Sequence, residues 1–161
     1  MSIAHDIYAE TNPAFYAWAL RSFTKAYQSI HTMGPELPIA YVALPIALSG
    51  DLASAFGGTN KRTGLLEWLE RSPQVQVGLA ERLNASVEMV TAGLRFGCFA
   101  GAVALTTCGQ LQAGATGLKP ITTAGFDDEV IQAFKRSERL GYWFAMAGST
   151  RNLFDIMGLS V

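Results

Sequence analysis

Few side chains in this sequence can do acid–base or metal chemistry, and their spacing limits what that chemistry could be. Histidine is the commonest general base and metal ligand near neutral pH, and the sequence has two, His5 and His31. His31 follows a helical stretch with no Cys or His at ligand spacing, and His5 lies in an N-terminal arm, residues 1–11. Both read as surface histidines. Cys98 and Cys108 are not spaced as a zinc or redox motif. Set among apolar and small residues, they read as reduced, structural thiols. With no H-E-x-x-H and no Cys/His cluster, neither a metal nor a cofactor is expected.

Two other stretches invite a chemical reading. Asp127, Asp128 and Glu129 could form an acidic site, but they open a helical pattern, where acids complement the helix dipole. The loop "GGTNKRTG", residues 57–64, resembles a phosphate cradle. A P-loop needs G-x-x-x-x-G-K-[ST] between a strand and a helix, so that backbone amides and the lysine surround phosphate. Here Gly57-Gly58 leads to Lys61-Arg62 without a second Gly-Lys, and no strand precedes. The simpler reading is a loop in which Thr63 caps the next helix. A backbone phosphate or an acidic partner is the alternative use for Lys61 and Arg62. There is no G-x-S-x-G elbow, and neither histidine has a nucleophile placed near it in sequence. No catalytic residue is assigned.

The elements that must carry these residues are mostly helices. "TNPAFYAWALRSFTKAYQSI" begins with Asn12 as cap and Pro13 at the first helical position, where its missing N–H costs nothing. Phe15, Ala19, Phe23, Ala26, Tyr27 and Ile30 form its apolar face. "ELPIAYVALPIALS" lacks charge and is expected to be buried on all sides, with Pro38 and Pro45 arguing against one regular element. A short helix from Asp51, a second in "GLLEWLERS" and a third starting at Ser72-Pro73 follow. The next stretch continues helical with a break near Asn84. "ALTTCGQLQAGATGLKPITT" reads as a small β-hairpin. A long helix capped by Asp127 and a last short helix stopped by Gly158 complete the chain.

The fold class expected is therefore mainly α with a small β-hairpin, in one domain over residues 12–161. Its order of elements is similar to a winged-helix arrangement. A chain of 161 residues can bury a real core. Charged residues make up only 16 %, against roughly 25 % in a typical domain, which hints that something covers part of the surface. Net charge is −1, not the basic footprint of a dedicated nucleic-acid binder. The first residues show no basic region followed by an apolar run, and the longest apolar stretch is too short and proline-broken to span a bilayer. A cytoplasmic protein without membrane contact is expected.

Two groups of aromatic residues do not fit their helices. On the long helix the apolar stripe is Val130, Ala133, Phe134, Ser137, Leu140, Gly141 and Phe144, with Gln132, Lys135 and Arg139 opposite. Ser137, Gly141 and Gly148 would let another helix approach closely. Tyr142, Trp143 and Met146 point to the polar side. Trp18 does the same on the first helix. Such residues are enriched at interfaces, but cover by the chain itself or by a ligand stays open at this point. Trp18, Tyr142, Trp143 and Met146, with Lys61 and Arg62 as a polar contact, are the candidate partner-facing residues.

Four stretches in order, "NPAFYAWALRSF", "LPIAYVALPIAL", "KRTGLLEWL" and "KRSERLGYWFA", resemble the middle component of bacterial three-component ABC systems. The likeness runs from about Asn12 to Leu159 and extends to the small subunit of Lamassu-type antiphage and antiplasmid systems. It implies a non-catalytic accessory subunit. Such a subunit would bridge an SMC-like coiled-coil ATPase that senses DNA and an effector such as a nuclease, with DNA met mainly through the complex. The alternative is a stand-alone winged-helix DNA-binding regulator.

Overall fold

Asn12 and Pro13 start the first helix as their types require. The computed structural model of the chain describes residues 12–114 and 128–160; His5, the rest of the N-terminal arm and Asp127 lie outside them. Helix α1 is Pro13–Gln28, and the Asn12 side chain accepts a hydrogen bond from the Ala14 N–H at 3.0 Å. Helix α2 is Leu37–Ala47, a 3₁₀ turn is Gly50–Phe56, and helix α3 is Leu65–Arg71. A second 3₁₀ turn, Pro73–Gln76, leads to helix α4, Leu79–Phe99. Strands β1, Val103–Leu105, and β2, Leu111–Ala113, form an antiparallel pair with Ala104 opposite Gln112. Helix α5 is Asp128–Met146 and helix α6 is Thr150–Met157, stopped by Gly158 in the left-handed region.

Helix α1 is the centre of the packing, lying against both α4 and α5. Phe15 meets Phe134 at 5.4 Å and Phe23 meets Phe144 at 6.0 Å between ring centroids. These pairings advance together along both helices, so α1 and α5 run parallel. Close approach depends on glycine. A Cβ on Gly141 of α5 would collide with the Phe23 carbonyl oxygen and lie 2.8 Å from the Ala26 Cβ. On the other side, a Cβ on Gly93 of α4 would collide with the Tyr16 Cβ. Of the expected stripe on α5, Ala133, Ser137, Leu140, Gly141 and Phe144 are buried, while Val130 and Phe134 are half-buried.

The structure corrects several local expectations. "LPIAYVALPIA" is one 11-residue helix with Pro45 inside it. Pro38 sits in the first turn, where no donor is lost, and Pro45 in the last, where only one hydrogen bond is forfeited. The charge-free sequence is explained by burial of Ile39, Ala40 and every residue from Val42 to Ala47. Helix α4 runs unbroken through Asn84, which is exposed and costs only its helix propensity. Thr63 does not cap α3. Gly64 occupies that position, and the Thr63 Oγ1 accepts from the Asn60 N–H at 3.0 Å within the loop. Cys98 and Cys108 are both free and exposed, not packed inside.

Long-range polar contacts fasten these elements together. The Arg136 Nε of α5 donates to the Ala47 carbonyl at 2.7 Å, meeting the C-terminal end of α2 with a buried cation. The hairpin is fixed to α1 by the Ala113 N–H donating to the Gln28 Oε1 at 2.8 Å and by the Arg21 Nη2 donating to the Gly114 carbonyl. The 3₁₀ turn after α2 bends away at 92°, and no single helix among the described residues is long and apolar enough to cross a membrane.

One ion pair gives this fold a mild acid sensitivity. Arg82 of α4 donates to both carboxylate oxygens of Asp51, at 3.0 and 2.6 Å. The Arg82 hydrogen bond holds the Asp51 carboxyl below its ordinary range. A carboxyl depressed in the folded state stabilises above its unfolded pKa, and that stabilisation is lost as pH falls through the folded value. The pair is largely exposed, so its worth is under about 1 kcal/mol. Urea unfolding should show wild type slightly more stable than Asp51→Asn at neutral pH, with the gap closing at a pH below the usual aspartate range. A gap that widens on acidification would contradict the assignment.

Candidate functional site

The periodicity of α5 places Lys135, Arg139, Tyr142 and Met146 along one outer stripe. Lys135 and Met146 are exposed, while Arg139 and Tyr142 are half-buried because the loop 57–64 lies over them. Gly58 and Gly64, with φ of +67° and +78°, let the chain turn at its two ends. Three side chains from α5 hold the loop. The Arg139 Nη1 donates to the Phe56 carbonyl at 3.2 Å and to the Thr59 Oγ1 at 2.9 Å. The Trp143 Nε1 donates to the Asn60 carbonyl at 3.1 Å. Tyr142 receives the Lys61 ammonium over its ring, 4.7 Å from the centroid.

The loop also braces itself. The Thr59 hydroxyl donates to the Phe56 carbonyl at 2.6 Å, and the Arg62 N–H donates to the Asn60 Oδ1 at 2.8 Å. Lys61 and Arg62 remain exposed on this ordered turn, and neither is in an ion pair among the described residues. The Tyr142 hydroxyl donates to the Glu138 Oε1 at 3.1 Å. Burial, and then the Glu138 carboxylate, hold its phenol above the ordinary range, with the Ser29 side chain acting against them. Burial also works against the charge of Arg139, which Glu138 supports.

Trp143 is not on the outer surface. It is fully buried, stacked on Phe56 at 6.0 Å with planes 5° apart and tilted against Trp68 at 5.2 Å. Trp68 in turn donates its Nε1 to the Ala55 carbonyl at 2.9 Å. The helical wheel points Trp143 to the polar side, whereas this chain's own loop and α3 cover it. Trp143 is therefore removed from the partner-facing candidates. Trp18 is half-buried on α1, nine residues before Tyr27, whose backbone packs on Gly141, or about 14 Å of helix. The structure joins Lys61, Arg62, Tyr142 and Met146 and leaves Trp18 apart from them.

Sequence reasoning missed two features. The spacing puts Arg139 on the polar face, yet it fastens the loop; no local signal shows this, because its partners Phe56 and Thr59 lie some eighty positions away in the chain. Phe99, at 93 % exposure, and Phe96 stand out from the end of α4, where a wheel on that helix puts Phe99 opposite Val90 and Gly97 and Phe96 on the flank. No group of three or more His, Cys, Asp or Glu side chains that could hold a metal occurs among the described residues. His31 is exposed and stacks on Tyr27 at 5.9 Å.

Comparison with known families decides what this arrangement belongs to. The whole chain, residues 1–161, matches the family described as ABC-three component (ABC-3C) system Middle Component 3. The chain belongs to that family. Neither the curated proteins nor the solved structures provide a match. As a middle component, the chain is one part of a system with other components.

Proposed function

We propose that this middle component is a non-catalytic accessory subunit that bridges an SMC-like, DNA-sensing ATPase and an effector such as a nuclease, in antiphage or antiplasmid immunity. The family match over the full length carries the reading. A pre-ordered, exposed basic turn supports it, because a partner docking there meets little ordering cost. DNA is then met mainly through the complex. The near-neutral charge and a hairpin tied down on α1 favour this over a stand-alone winged-helix DNA-binding regulator. Co-expression with the components encoded beside it is the test. A stable complex containing a coiled-coil ATPase is expected. A chain that stays monodisperse and unassociated beside those components would overturn the reading, and duplex-DNA binding by the isolated chain, falling steeply with salt, would favour the regulator.

A further inference from the structure

The surface around the Lys61 turn combines two chemistries that point to one kind of ligand. Lys61, Arg62 and Lys135 are exposed cations, Arg139 is a half-buried one, and Glu138 is the acid beside them. This local excess of positive charge stands out in a chain whose net charge is −1. The same surface is also apolar. Met146 follows Tyr142 by one helical turn and is 68 % exposed. Gly141, next to Tyr142, packs on the backbone of Tyr27, where an added Cβ would lie 3.1 Å from the Tyr27 nitrogen, and this sets exposed Ile30 at the end of α1 beside the same edge.

We propose that this ledge, made of Lys61, Arg62, Tyr142, Met146 and Ile30, receives an acidic segment of a partner protein that also carries apolar side chains. The inference rests on the accessory-subunit reading and names the chemistry of the docking segment. Charge complementarity selects the acidic groups: two exposed cations without an ion-pair partner, Lys61 lying over the Tyr142 ring, sit on a turn already held by Arg139 and Trp143. Little conformational entropy is lost when they are engaged. The flanking Met146 and Ile30 favour protein over nucleic acid, since a phosphate backbone gives exposed aliphatic groups nothing to bury against. Methionine, flexible and polarisable, adapts its packing to an incoming side chain. The partner's carboxylates would steer the encounter and its apolar side chains would set the lifetime.

The test uses the complex formed by co-expression with the components encoded beside this chain. Lys61→Glu combined with Arg62→Glu should weaken assembly roughly tenfold or more and flatten its salt dependence. Both residues are exposed and only the Lys61 contact with the Tyr142 ring is lost, so the thermal unfolding midpoint should fall only slightly. Met146→Ala should weaken assembly several-fold and leave the salt dependence as it is. Assembly by the charge-reversed variant with wild-type affinity and salt dependence would overturn the proposal while the accessory reading stands. If the variant assembles normally but the complex loses affinity for duplex DNA, the ledge is a nucleic-acid contact and the proposal is overturned in favour of that. If the wild-type chain itself does not assemble, the accessory reading falls and this proposal falls with it.

Discussion

Replacing Trp143 by alanine should remove about 3–5 kcal/mol of stability, the usual cost of truncating a buried aromatic residue. That is a large share of the roughly 5–15 kcal/mol that holds a domain folded. The size follows from what Trp143 touches. Its ring fills the space between Phe56 and Trp68, and its indole N–H satisfies the Asn60 carbonyl. Truncation leaves a cavity beneath the loop and takes one of two donors from the Asn60 carbonyl, which keeps the Thr63 N–H. Trp143→Phe should cost less, since it restores much of the volume and forfeits the hydrogen bond. Urea unfolding of the isolated chain measures both. Trp143→Glu should cost more than alanine, because a carboxylate between Phe56 and Trp68 is cut off from water and could reach Arg139 only by taking it from the Phe56 carbonyl and Thr59. A variant at this position that kept its unfolding midpoint and lost only partner binding would put Trp143 back on the surface.

The second large effect is expected at Gly141. A leucine there must displace the backbone of α1, since even a Cβ meets the Phe23 carbonyl oxygen and the Ala26 Cβ. Overpacking of a core typically costs about 1–3 kcal/mol and can cost more where the obstacle is backbone. Gly141→Leu is expected at or beyond the upper end of that range, and Gly141→Ala lower, because alanine recovers up to about 1 kcal/mol of helix propensity. Thermal unfolding of the two variants should rank wild type, alanine, leucine. A leucine variant as stable as wild type would mean that α1 and α5 do not meet at this glycine.

The two predictions show which parts of the molecule were readable in its sequence. The cap at Asn12 and the stop at Gly158 are local: each depends on one residue type and its neighbours, and each stands where expected. The glycine that admits close helix approach was also readable, because Gly141 falls on the apolar stripe of a strongly periodic helix. What could not be read was which segment lies on top of which. Helical spacing points Trp143 to the polar side, and only the tertiary path of residues 57–64 decides that it is inside. Pro45 is a helix breaker by propensity, but it stands in the last turn of α2, where the chain is about to leave the helix. The grouping of Lys61 with Tyr142 and Met146 joins residues some eighty positions apart, and no local pattern contains that distance.

The bracing of the loop has a consequence for its motion. Four of its amides, those of Thr59, Asn60, Arg62 and Thr63, are donors to atoms inside the loop or to Phe56, and its anchors reach down to a buried tryptophan. An exposed turn ordinarily opens on its own, at little free-energy cost. Here the turn cannot lift without uncovering the Phe56–Trp68–Trp143 stack, so its amides belong to the same cooperative unit as the core. In hydrogen exchange, this surface loop should keep time with the interior.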